Sequence, residues 1–197
     1  DFGGGTLDLA VVEIVPREAE KGACKVIAKA GRPVGGNLVD EWLLESFAEK
    51  MEVVLHRGNL DTESELWYRL LLAETQGVKE AIHFNEKATF ELSVPLEFRH
   101  IGAKIRGRSP FLDVTRQDVV DVLTQHGLYE ILEDCAESID EQMQALGLSE
   151  SDIDDVLMVG GSTLLPEVYG VFENRYGRDR VRAWKPFEAV AFGASAY

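Results

Sequence analysis

Asp1-Phe2-Gly3-Gly4-Gly5-Thr6-Leu7-Asp8 decides how this chain is read. Three successive glycines let the backbone turn tightly and bring N–H groups against an anion with no Cβ in the way. Thr6 adds a hydroxyl for a γ-phosphate or an attacking water. Asp1 and Asp8 bracket the loop, where carboxylates can hold a hydrated Mg²⁺ or orient water. The plain alternative is a glycine-rich hairpin turn with two solvated carboxylates. Two familiar phosphate loops are excluded. No Gly-Lys-Thr follows, as a Walker A loop requires, and no His-Arg-Asp or Val-Ala-Ile-Lys accompanies the Asp-Phe-Gly, as in a protein kinase. A second glycine turn, Val159-Gly160-Gly161-Ser162-Thr163, follows an apolar run and precedes Pro166. Its glycines let an adenosine approach the backbone; the alternative is an ordinary strand–turn–helix link. Gly160 stands 155 residues after Gly5, and the two motifs together are far more specific than either alone.

Outward from these turns the pattern is α/β. Leu9 to Val15 reads as a buried strand, 16–23 as a polar turn, and Cys24 to Ala30 as its hairpin partner. After Gly35-Gly36, Asn37 is placed to cap a helix, with Asp40 favouring its positive dipole end. Leu38, Trp42, Leu43, Phe47, Met51 and Val54 recur at helical spacing. Thr62 and Glu65 form a capping box for a second helix with Leu66, Leu70, Ala73, Gly77 and Ala81 on one face. Ala88 to Val94 alternates as a strand, with a partner expected around 96–106. Thr115 and Asp118 start a long helical stretch that Gly127 can bend or break and Gly147 ends. Val156 to Val159 reads as a buried strand, Pro166 begins a helix ending at Gly177, and another follows Pro186.

The 197 residues suffice for one large domain or two small subdomains. With 45% hydrophobic and 28% charged residues the chain can bury a core and is not of the disordered class. Twenty Lys+Arg against 35 Asp+Glu leave a net charge of −15, which repels phosphate backbones and anionic lipid. Nucleic acid and membrane are therefore not expected partners. Polyphosphate remains possible, because backbone N–H groups and a bound cation can hold it on an acidic protein. Cys24 and Cys135 are far apart and the four histidines make no HExxH, so neither a disulfide nor a zinc site is expected. Two thiols suit a reducing cytosol. A compact domain seldom starts on a loop motif, so the chain is expected to be part of something longer.

In these motifs the chain resembles the DnaK-type heat-shock chaperones. Asp1–Asp8 is similar to their second phosphate motif (Asp-x-Gly-Gly-Gly-Thr-x-Asp), and Gly160 to Pro166 to their adenosine motif. Gly35-Gly36-Asn37-Leu38-Val39-Asp40 is similar to their Gly-Gly-x-x-Phe-Asp turn. Pro186 to Ala194 resembles their closing helix. The resemblance spans nearly the whole chain and implies an α/β fold: the second lobe of the actin-like, ribonuclease-H-like ATPase, with a mixed sheet and flanking helices. The core would be 1–57 and 113–197, with 58–112 a small inserted, lid-like α+β subdomain.

The same resemblance implies ATP/ADP and Mg²⁺ as ligands. Asp1 would orient the lytic water, Thr6 would contact the γ-phosphate, and Asp8 would help hold the metal; Asp1 and Asp8 would both reach it through water. Gly3, Gly4, Gly5 and Gly36 would line the phosphates, and Gly160, Gly161 and Ser162 the sugar and α-phosphate. Lys79, His83 and Leu164 fall at the adenosine clamp. There Lys79 fits the family pattern, whereas Gln76 stands for a glutamate, Glu80 and Leu164 for arginines, His83 for a serine, and Phe187 for an aspartate. The implied partners are the missing first lobe of the same protein, and co-chaperones or an exchange factor, in the cytoplasm. Hydrolysis would need both lobes, so the isolated chain is expected to be inactive. The altered clamp also suits a nucleotide-sensing or scaffold relative with little turnover. A sugar kinase or actin-like protein is the remaining alternative, against which the intact first motif argues.

Overall fold

The β-rich residues after the first glycine turn form a hairpin: β1 (Leu7–Glu13) pairs antiparallel with β2 (Lys25–Arg32). The register runs from Leu7↔Arg32 to Glu13↔Lys25 and shifts between Val11 and Val12. The computed structural model describes residues 1–14, 24–55, 62–92 and 110–183, together with 188 and 191. The expected turn at 16–23, the strand at 96–106, and most of the closing helix, Phe187 included, lie outside these residues. Among the described residues the chain is mixed α/β, with three two-stranded pairings, two antiparallel and one parallel.

The chain divides into two compact units, Asp1–Leu38 with Gly127–Tyr197, and Val39–His126. Helix α1 (Gly36–Lys50) runs across the first boundary. The second unit contains 58–112 but is broader at both ends.

In the first unit, helix α4 (Leu128–Gln144) covers the hairpin. Its Ile139 and Met143 bury against Ala28, with Leu9, Val11, Ile27 and Ala30 packed around them. Gln142 fixes the docking, accepting from the Lys29 amide (3.2 Å) and donating to the Lys29 carbonyl (3.0 Å). Strand β5 (Val156–Met158) lies parallel to β6 (Val181–Ala183). It is shorter and less covered than expected: Leu157 is 57% exposed, since β6 is its one neighbour among the described strands. Helix α5 (Val168–Tyr176) ends at Gly177, whose φ of +95° supplies the left-handed stop. Buried Asp140 joins α4 to α5, accepting from Arg175 Nε at 2.6 Å and from the Tyr176 hydroxyl at 3.3 Å.

In the second unit α1 buries Val39, Leu43, Leu44 and Phe47. Asn37 is not its cap, because the helix already begins at Gly36. Helix α2 (Thr62–Phe84) departs from expectation by a rotation. Its buried face is Trp67, Leu71, Thr75, Val78 and Ile82, while Leu66 and Leu70 are 47% and 39% exposed. One residue of offset turns a helix by about 100°. Trp67, Leu71, Val78 and Ile82 remove much more apolar surface from water than Ala73, Gly77 and Ala81 would, and the larger gain sets the orientation.

Strand β3 (Lys87–Glu91) pairs antiparallel with β4 (Phe111–Thr115), in register from Lys87↔Thr115 to Glu91↔Phe111. Phe90 from β3 meets Phe47 of α1 at 5.2 Å between ring centres. Helix α3 (Arg116–Gln125) opens with the full reciprocal cap: the Asp118 amide donates to Thr115 Oγ1 (3.1 Å) and the Thr115 amide to Asp118 Oδ2 (2.8 Å). Gly127, at φ +69°, then breaks α3 from α4. No described helix is long and apolar enough to cross a membrane.

Candidate functional site

Three glycine turns of the first unit are tied together by main-chain hydrogen bonds. The opening turn closes on itself, with Gly3 N–H donating to Thr6 O (3.0 Å) and Asp8 N–H to Asp1 O (2.8 Å). Phe2 is buried and donates to Val159 O (2.7 Å), while Ser162 N–H returns to Phe2 O (3.0 Å). From the other side Gly36 N–H donates to Gly3 O (3.0 Å) and Asn37 N–H to Gly4 O (2.8 Å). The close approach demands glycine at two positions. A Cβ on Gly35 would stand 2.5 Å from the Gly4 carbonyl, and one on Gly160, at φ +93°, would run into the Phe2 carbonyl. Neither obstacle is a flexible side-chain end, so alanine cannot be accommodated cheaply.

The outer rim of the same turn is open. Gly4, Gly5 and Thr6 are exposed, and a Cβ on Gly5 would meet nothing within 4 Å. Their amides find no main-chain acceptor among the described residues. Exposed amides at a glycine turn are the donor set an anion requires. Asp1 leans over Gly160, and Asp8 lies opposite Gly31 across the hairpin, its Oδ1 2.9 Å from where a Cβ on Gly31 would sit. Among the described residues no three acidic, cysteine or histidine side chains converge as a metal cage. Asp1 and Asp8 supply carboxylate oxygens, the donor type Mg²⁺ takes.

The structure therefore gathers Asp1, Gly3, Gly4, Gly5, Thr6, Gly36, Gly160, Gly161 and Ser162 in one unit. Ser162 is buried and its hydroxyl donates to Gly3 O (2.9 Å), so it joins two turns. Leu164, at the end of the short 3-10 turn Gly161–Leu164, is half-buried.

Lys79 and His83 belong to the second unit, one turn apart on α2. Lys79 is buried and its Nζ lies 2.8 Å from Asp40 Oδ1 of α1, with the two side chains 9% and 7% exposed. Burial pushes Asp40 up from its ordinary range, although Lys79 pulls the other way. Gln76 and Glu80 face each other, Gln76 Nε2 donating to Glu80 Oε1 at 3.1 Å. Neither ring nitrogen of His83 has a hydrogen-bond partner among the described residues. Burial, reinforced by Lys79 and Arg116 and opposed by Glu80, pushes this imidazole down to about 4. His83 is thus neutral near pH 7, one ring nitrogen a donor and the other an acceptor.

The family model for Hsp70 protein matches residues 1–197. The chain belongs to the Hsp70 family. It is similar to the chaperone protein DnaK of Thermotoga petrophila and that of Thermotoga maritima, each 29% identical over 202 residues, covering 99% of this chain and 30% of the relative. The chain thus spans less than a third of the length of these curated relatives. In this Hsp70 chain Gly35 and Asp40 bound the motif similar to the Gly-Gly-x-x-Phe-Asp turn, and the structure adds their contacts, Gly35 against Gly4 and Asp40 with Lys79. The doubled glycine at 35–36 signalled the first, since only a close backbone approach calls for two in a row before a helix. Nothing local signalled the pairing of Asp40 with Lys79, which is 39 positions away.

Proposed function

We propose that this chain is the second lobe of the ATPase domain of an Hsp70-type chaperone, of actin-like fold, working with a first lobe of the same protein in the cytoplasm. Residues 58–112 would form the lid-like part, and co-chaperones or an exchange factor would be further partners. The observation that carries the reading is the knot of three glycine turns with an open rim of amides. The rim would take the phosphates of ATP or ADP, Asp8 and Asp1 would hold Mg²⁺ through water, and Asp1 would orient the attacking water. Bound Mg²⁺ supplies neutralisation of phosphate charge. Thr6 presents its hydroxyl beside the rim, while Gly160 and Gly161 offer backbone to the sugar side. Lys79, His83 and Leu164 would face the nucleoside.

In the full-length protein, Thr6→Ala and Asp8→Asn are expected to slow hydrolysis by roughly 10²–10³ while changing ADP affinity little. Single-turnover rates set beside ADP titrations decide this; unchanged turnover in both variants refutes the assignment.

A second reading, a nucleotide sensor with little turnover, is favoured by Glu80 and Leu164, which leave the clamp without stacking cations. Steady phosphate release by the full-length wild type would exclude it.

A further inference from the structure

We infer that Asp40 is the positioning residue of the nucleoside clamp: it holds the Lys79 ammonium in place and so sets affinity for the nucleoside half of the ligand, leaving the phosphate half untouched. The inference rests on the reading of Lys79 as a nucleotide contact.

Lysine carries its charge on a flexible four-carbon stem, and a ligand that recruits a wandering ammonium loses affinity to the ordering of that stem. Here the stem is already ordered. Asp40 Oδ1 lies 2.8 Å from Lys79 Nζ, and both side chains are nearly inaccessible. Charges so buried occur almost only as pairs. Glu80, whose charge reaches Asp40, accepts a hydrogen bond from Gln76. Asp40 is itself held by regular structure. It lies one helical turn beyond Gly36 in α1, and Gly36 is fixed through its bond to Gly3 O. Lys79 and His83 are spaced i, i+4 on α2, so a fixed ammonium and an imidazole with no hydrogen-bond partner among the described residues lie on neighbouring positions of one face.

The test is calorimetric titration of the full-length protein with ADP and, separately, with pyrophosphate. Asp40→Asn is expected to weaken ADP by about tenfold, the size of one lost charge-assisted contact, and to leave pyrophosphate unchanged. Lys79→Met should weaken ADP likewise, and the double variant no further, because both changes remove one interaction. Asp40→Glu keeps the buried charge paired while moving the ammonium. It therefore folds even where Asp40→Asn does not, and should weaken ADP by a smaller factor, again without touching pyrophosphate. ADP affinity unchanged in the Asp40 variants but weakened in Lys79→Met overturns the positioning role alone. Equal losses for ADP and pyrophosphate overturn it too, since they mark a general structural effect. If Lys79→Met leaves ADP affinity unchanged, the assignment of Lys79 to the nucleotide fails and the inference with it.

Discussion

The glycine knot of the first unit and the α2 row of the second hold their candidate functional groups by different means. In the knot the candidate groups are main-chain amides, aimed by hydrogen bonds between turns and by the absence of side chains at Gly35 and Gly160. In the row they are side chains, Lys79, His83 and Glu80, aimed by packing and by one buried ion pair. Backbone geometry tolerates almost no substitution at its contact points, whereas a side-chain row can be rewritten residue by residue on an unchanged helix. In the resemblance drawn from sequence, the motif glycines match at the knot, and the departures named there are Gln76, Glu80 and His83 on α2, Leu164 and Phe187.

The contrast breaks most visibly at Gly160. Gly160→Ala should cost about 1–3 kcal/mol for its backbone conformation and roughly 1–3 more for displacing the Phe2 carbonyl. Gly77→Ala, on an exposed position of α2 where a Cβ meets nothing, should instead be neutral or gain up to about 1 kcal/mol. Urea unfolding of both variants measures the gap; similar losses would mean that the knot is no tighter than an ordinary helix.

A pH dependence confined to the second unit comes next. His83 titrates at about 4 when folded against an ordinary 6.5, so the unfolded chain takes up its proton first as the solution is acidified. Stability is therefore full above about pH 6.5 and falls as pH drops towards about 4, a loss that His83→Ser should escape. Equal urea midpoints for wild type and His83→Ser, relative to neutral pH, at about pH 5 would contradict the burial assigned to this ring. Asp118 acts lower. Burial raises it, but the hydrogen bonds from Lys50 and Thr115 prevail and bring it to about 2. Its contribution is present above about pH 3.8 and is lost as pH falls towards 2.

The rewritten row can be sharpened by restoring charge. Glu80→Arg or Leu164→Arg should tighten ADP by about 0.5–2 kcal/mol each, a few-fold to about thirtyfold, if a guanidinium again stacks on the base. No gain in either would show that these positions do not meet the base. Smaller still is the stack of Trp42 on His126, ring centres 4.5 Å apart and planes 8° from parallel. His126→Ala should cost about 0.5–1.5 kcal/mol in urea unfolding and leave ADP affinity alone.

The turns, caps and helix breaks were legible in the sequence because their signals are local. Glycine runs, Thr115 with Asp118, and Gly127 and Gly177 each act within a few residues, and each turned out where the pattern placed it. What escaped depended on distant partners. The face of α2 was mistaken by one position because alternation cannot weigh Trp67 against Ala73 without knowing what each will touch. Among the described residues β3 pairs with β4, a strand that local pattern did not mark, while the partner expected at 96–106 lies outside these residues. Asp40 read as a helix-end charge because its true neighbour, Lys79, is visible only once α1 and α2 have packed.

The central claim is that the exposed amides of the opening turn grip phosphate, and Gly5 isolates it. A Cβ there disturbs no neighbour but intrudes on the rim where an anion would sit. ADP titration of the full-length Gly5→Ala protein beside wild type, with urea midpoints taken on the same samples, is the direct test. The expected result is at least about a tenfold loss of affinity with an unchanged midpoint. Undiminished ADP binding by a well-folded Gly5→Ala would contradict the claim.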